Sequence, residues 1–158
     1  IVNKGAIILA ESEVFSGLKS LNIENCGVMP AGILALAKST SLNNLEEIIL
    51  NKNDIKDKGI QHLAASENFT KLKILKAGDV SIGDLAVKTL VLSQSLKNLE
   101  ELRLNGNNIT REGLEFLHDT LNLCALKKID LRRNRFLYED CIFLSDSPRF
   151  KNLEVVRF

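Results

Sequence analysis

Residues 99–109 read L-E-E-L-R-L-N-G-N-N-I. Apolar side chains stand at Leu99, Leu102, Leu104 and Ile109, with Asn107 between the last two. The same spacing returns from residues 18, 45, 72 and 126, and its first half returns from 153. The leading residue is leucine every time (Leu18, Leu45, Leu72, Leu99, Leu126, Leu153), and the step is always 27 residues, without insertion or deletion. A strict period in this range marks a stack of like units, each burying its apolar face against the next.

Counting each unit from its leucine, position 4 reads Leu21, Ile48, Leu75, Leu102, Ile129 and Val156, and position 6 reads Ile23, Leu50, Ala77, Leu104, Leu131 and Phe158. Position 9 reads Cys26, Asn53, Val80, Asn107 and Asn134, and position 11 reads Val28, Ile55, Ile82, Ile109 and Phe136. The second half of the unit carries apolar residues at positions 16 and 19 and mostly small ones at position 20, a helical stripe led by Leu36, Leu63, Leu90, Leu117 and Leu144. Position 15 is Gly32, Gly59, Ala86, Gly113 and Asp140; glycine here predicts close approach of the helix to its neighbour or the sheet. Position 25 (Phe15, Leu42, Phe69, Leu96, Leu123, Phe150) predicts an apolar spine in the return loops.

This is L-x-x-L-x-L-x-x-N/C-x-L, and over essentially its whole length the chain resembles the leucine-rich repeat family. Unit length and a helical second half resemble the ribonuclease-inhibitor-like subclass. The resemblance implies an α/β fold: a right-handed solenoid with a parallel concave sheet and helices on the convex side. The residues support it independently. Positions 4 and 6 alternate inward on a short strand while 3, 5 and 7 face out. Helices are wider than strands, so the stack must curve with the sheet inside.

The frame predicts a single domain over 1–158: a partial repeat 1–17, repeats starting at 18, 45, 72, 99 and 126, and a final strand 153–158. Ile1 aligns with Val28, Gly5 with Gly32, Leu9 with Leu36 and Phe15 with Leu42. The apolar run Ala6–Ala10 therefore reads as a helix stripe, not as a signal peptide, which needs a basic start and greater length. The expectation is a piece of a longer solenoid. Formal net charge is +1, so no global charge argues for nucleic acid or a membrane surface. No apolar run approaches the ~20 residues of a membrane span. Cys26 and Cys141 lie four repeats apart, beyond disulfide reach, and Cys124 sits in a return loop. That usage predicts a reducing, cytoplasmic compartment, which includes delivery into a host cytosol.

The position-9 asparagine is expected to turn inward and bond backbone groups of an adjacent loop. Val80 cannot do so, and with Ala77 and Gly78 beside it the third repeat is predicted to hold the weakest loop. Position 2 alternates without exception: Lys19, Glu46, Lys73, Glu100, Lys127, Glu154. Each strand start then faces opposite charge on both sides, which supports the scaffold and disfavours a one-repeat slip.

Chemistry is harder to find. His62 and His118 fall on the helical side, and no nucleophile–His–acid, metal-ligand or phosphate-loop signature is present. The reading is non-enzymatic, with no catalytic residue, metal or cofactor. Phe116 and Phe143 share helix position 18 and are expected to fill grooves between neighbouring helices. The outward positions of the sheet are more informative. Glu24, Glu47, Asp54 and Asp79 stand against Lys52 and Lys76 in the first three strands. Arg103, Lys128, Arg132, Arg133, Arg135 and Arg157 stand against Glu101 and Asp130 in the last. Ile49 and Ile74 face outward on adjacent strands, with Val155 at the C-terminal end. Arginine beside apolar anchors is the composition of a binding surface.

The partner-binding set is therefore Ile49, Ile74, Lys76, Arg103, Lys128, Arg132, Arg133, Arg135 and Arg157. The expected role is a module that binds a protein partner, an acidic one, on its concave face. Apolar ends also predict end-to-end self-association. Two other roles compete: regulation of a GTPase, because Ran GTPase-activating proteins share this repeat class, and RNA binding through the arginines. The second lacks exposed aromatic residues between the cations.

Overall fold

The computed structural model describes residues 2–120, 122–148 and 150–158. Ile1, aligned above with Val28, lies outside the described residues. Strand and helix alternate throughout: α1 Val2–Glu11, β1 Ser20–Asn22, α2 Pro30–Lys38, β2 Glu47–Ile49, α3 Lys56–Ala64, β3 Ile74–Lys76, α4 Asp84–Leu92, β4 Glu101–Arg103, α5 Arg111–Asp119, β5 Lys128–Asp130, α6 Tyr138–Ser145 and β6 Val155–Arg157. The strands form one parallel sheet in the order β1-β2-β3-β4-β5-β6. Each strand residue faces the residue 27 later in the chain, as Leu75 faces Leu102 and Leu102 faces Ile129. The architecture is the α/β leucine-rich repeat solenoid that the period implies.

Between sheet and helices runs one apolar core. Leu45, Leu72, Leu99, Leu50, Leu104, Ile55, Ile82, Ile109, Ile60, Leu90 and Leu96 are all buried in it. Position 15 behaves as the frame predicts. A Cβ at Gly113 would stand 2.5 Å from Asp84 Oδ1 and 2.6 Å from Ile109 Cγ2, and one at Gly32 would stand 2.8 Å from Asn3 Oδ1.

Polar ladders run through the core beside the leucines. Asn107 Oδ1 accepts the amides of Val80 (3.0 Å) and Ile82 (3.3 Å), and its Nδ2 donates to the carbonyls of Ala77 and Leu104 (2.9 Å each). Asn53 makes the equivalent set with Cys26, Val28, Ile23 and Leu50, and Asn134 reaches Ile109, Leu104 and Leu131. The asparagine thus brackets the loop of the preceding repeat. This corrects the expectation about Val80. Its own loop is held by Asn107, and the loop without a bracket is the second, ahead of α3. There the Val80 carbonyl takes the Lys56 amide (3.1 Å), and Lys56 adopts φ 55°. Cys26 does the same, accepting the Val2 amide (2.8 Å), with Val2 at φ 47°. Where position 9 lacks the amide side chain, the preceding helix starts through a left-handed residue.

A second ladder joins the helix ends. Position 22 carries a hydroxyl in Ser39, Ser66, Ser93, Thr120 and Ser147. Each donates to the position-20 carbonyl one repeat earlier: Ala10 (2.6 Å), Ala37 (2.6 Å), Ala64 (2.7 Å), Val91 (3.3 Å) and His118 (3.4 Å). These buried hydroxyls satisfy carbonyls at helix ends, which have no partner within the helix. Helix starts are joined similarly. Asn3, Asp57 and Asp84 accept the amides of Met29 (2.9 Å), Gly83 (2.8 Å) and Thr110 (2.8 Å), so one repeat caps the helix of the next.

Candidate binding surface on the outer face of the sheet

The outer face is built from two rows. Position 3 gives Ser20, Glu47, Ile74, Glu101, Lys128 and Val155, and position 5 gives Asn22, Ile49, Lys76, Arg103, Asp130 and Arg157. The loops continue the face at positions 7, 8 and 10. Every loop turns at position 8 through positive φ: Asn25 (52°), Lys52 (56°), Asp79 (55°), Gly106 (68°) and Arg133 (57°). Gly106 serves a further purpose. A Cβ there would collide with the Asp79 carboxylate, and it is across this gap that Arg133 Nη2 reaches Asp79 Oδ2 (3.1 Å), two repeats away.

In the N-terminal half both lysines are paired. Glu47 takes the Lys76 ammonium (2.8 Å) and the Ser20 hydroxyl (2.7 Å), and these bonds hold its carboxyl below the usual range. Glu24 takes Lys52 (2.9 Å) and then Asn51 (3.1 Å), with the same effect. Ile49 and Ile74 lie half-buried among these pairs, one in each row. At the strand starts, Glu46 joins Lys73 (2.7 Å) and Lys19 (3.3 Å), and Glu100 joins Lys127 (2.6 Å). Three of the five neighbouring position-2 pairs thus close as ion pairs; Lys73–Glu100 and Lys127–Glu154 do not among the described residues.

The C-terminal half differs. Arg103 Nε bonds Glu101 on its own strand (2.6 Å). Arg132 folds back on Asp130 through two guanidinium bonds, 2.9 and 2.6 Å, and its backbone amide adds a third at 3.2 Å. Burial pushes the Asp130 carboxyl up; Arg132 outweighs it, so the group titrates below its ordinary range. Arg132 is thus committed to an acid of its own loop, and Arg133 points toward the third loop. Lys128, Arg135 and Arg157 form no ion pair among the described residues. Lys128 and Arg157, together with Arg103, Glu101, Asp130 and Val155, line a depression of about 170 Å³ over β4–β6. Of the residues expected to bind, the structure therefore gathers Arg103, Lys128 and Arg157 at one place. Arg132 stands beside them, Lys76 is tied to Glu47, Arg135 sits on the loop rim, and Ile49 and Ile74 lie farther along the sheet.

The helical side holds its own cluster. Phe143 is half-buried, stacked on His118 (4.6 Å between centroids) and covered by the Arg111 guanidinium (4.5 Å), which also bonds Asp140 (2.8 Å) and Glu115 (3.1 Å). Phe116 is half-buried under the Lys88 ammonium (5.3 Å). The two rings occupy the grooves as expected, with cations laid over them. His118 Nδ1 also meets its neighbour Asp119 (2.7 Å), a contact the frame did not anticipate. Burial, then Lys58 and Lys38, lower the His62 imidazole. Among the described residues no three His, Cys, Asp or Glu side chains converge as metal ligands, and no helix is long and apolar enough to cross a membrane.

Two stretches of the chain, residues 41–64 and 95–117, match the Leucine Rich repeat family. No curated protein sequence matches the chain. Among solved structures it is similar to an internalin from Listeria monocytogenes at 18% identity and a TM-score of 0.44, covering 96% of this chain and 50% of that one. It thus spans half the length of that internalin chain. With its constant period, two matched repeats and strand-by-helix stack, the chain is a leucine-rich repeat protein.

Proposed function

We propose that this chain is a protein-interaction module that presents the outer, concave face of its sheet to a protein partner and performs no chemistry itself. One observation carries the reading. Within the repeat, inward positions hold the same residue types from unit to unit. The outward rows change type at nearly every step, from Ser20 to Val155 and from Asn22 to Arg157. A repeat scaffold whose core holds while its exposed rows vary is built for recognition. The apolar Ile49, Ile74 and Val155 offer anchors, and the cations Lys128, Arg135 and Arg157 favour an acidic partner. We assign the whole chain to one domain of the ribonuclease-inhibitor-like subclass, working in a reducing compartment; its cysteines are spread over separate repeats. Ile7 and Ile8 at one end, and Leu137, Tyr138 and Ile142 at the other, are exposed and support end-to-end self-association.

The test is cross-linking of the protein, carrying photoreactive residues at Asn22, Lys76 and Lys128 in turn, to proteins of its native host. A control set carries the same group at Lys38, Lys58 and Lys88 on the helices. Adducts to the same protein from the sheet positions alone support the proposal. Adducts from the helix positions alone would overturn it. Incubation of the same protein with a panel of GTP-loaded GTPases checks the regulatory alternative.

A further inference from the structure

The outer face over β4–β6 is a checkerboard of charge with one square missing. Along position 3 the signs run Glu101 negative, Lys128 positive, Val155 neutral. Along position 5 they run Arg103 positive, Asp130 negative, Arg157 positive. Each charge has opposite neighbours along its strand and across it until Val155. An acid there would face Lys128 on the adjacent strand and Arg157 two residues along its own, the relation Glu101 has with Arg103 at 2.6 Å. Instead Lys128 and Arg157 form no ion pair among the described residues, while the acids beside them are committed: Glu101 to Arg103, Asp130 to Arg132.

We infer that the missing charge is supplied by the partner: a glutamate or aspartate of a protein segment laid across β4–β6 seats over Val155, between the Lys128 ammonium and the Arg157 guanidinium. The inference rests on the binding face proposed above and names the chemistry at its centre. The depression holds about 170 Å³, room for one short side chain. Val155 supplies an apolar wall for the methylenes of the incoming side chain. Glu101 and Asp130 fill the neighbouring acidic squares as carboxylates, and a carboxylate over Val155 continues that pattern. Arg157 can meet a carboxylate through two parallel N–H bonds, so the contact is directional as well as charged.

A library of random twelve-residue peptides on phage, panned against the 158-residue protein, tests this. The expected winners share an acidic residue and lose at least tenfold in affinity when it becomes Gln. They lose at least tenfold against Val155→Glu, which fills the empty square from within, and against Lys128→Ala and Arg157→Ala. Lys38→Glu, on a helix, binds as the parent does, and matching thermal melts show that all variants are folded. Winners that protect β4–β6 from amide exchange but lack an acid, or ignore Val155→Glu, overturn the inference and leave the binding face standing. Winners that bind more than tenfold tighter when the acid becomes phosphoserine overturn the choice of carboxylate. Protection on the helices instead, or no enrichment over bare matrix, counts against the face as well.

Discussion

The inside and outside of one repeat solve the same problem in opposite ways. Inside, Asn107 makes five bonds to backbone groups, and Ser93 gives its hydroxyl to the Ala64 carbonyl; both are buried, and both recur in sister repeats. Outside, Glu46 bonds Lys73 and Lys19 in solvent, and Arg157 makes no ion pair among the described residues. A buried backbone group has no water to turn to, so losing its partner costs its full desolvation. An exposed charge exchanges one partner for water at little cost. Stability therefore resides in the inner ladders, and the outer rows are free to vary. The second loop sharpens the contrast: facing Val80 rather than asparagine, it resorts to left-handed backbone at Lys56.

The contrast can be broken by substitution. Asn107→Ala strips the bracket from the third loop and should lower stability by about 1–3 kcal/mol in urea melts; a neutral result would remove the inner ladder as the source of stability. Ser93→Ala leaves the Ala64 carbonyl only the longer bond from the Ser95 hydroxyl (3.5 Å) and should cost about 1 kcal/mol in the same measurement. Asp130 lies between the two regimes, a buried acid on the outer face. Its folded pKa is depressed, so its contribution is fully present above the ordinary carboxylate value of 3.8 and is lost as pH falls through the lower folded value. Asp130→Asn should therefore flatten the acid limb of the stability–pH curve; a limb of unchanged slope would show that Arg132 does not hold the charge. Smallest of all, Glu46→Gln should leave the melting midpoint within the scatter of repeat scans, because its partners are solvated lysines. A clear drop would make the outer ladder structural.

The sequence displays the fold plainly because buried positions leave little choice: leucine every 27 residues cannot be read as anything but a stack. It displays the ladders less well. Position 9 is visible as a column of asparagines, but the pattern does not show that each reaches back to the previous loop, so Val80 points to the wrong one. The column Ser39, Ser66, Ser93, Thr120 and Ser147 is equally regular but carries no signal of burial, because serine is ordinarily a surface residue. Which side chains face outward follows from strand alternation alone. How they pair does not, since Arg132 turns back on Asp130 while Arg133 crosses two repeats to Asp79, and only loop geometry separates those outcomes.

The measurement closest to the central claim is an amide-exchange footprint of the protein with an acidic peptide selected by panning. The account predicts slowed exchange at 101–103, 128–130 and 155–157, unchanged exchange on α3–α6, and loss of the footprint in Val155→Glu with no fall in melting temperature. Slowed exchange confined to α4–α6, around Phe116 and Phe143, would contradict it and move the binding surface to the helical side.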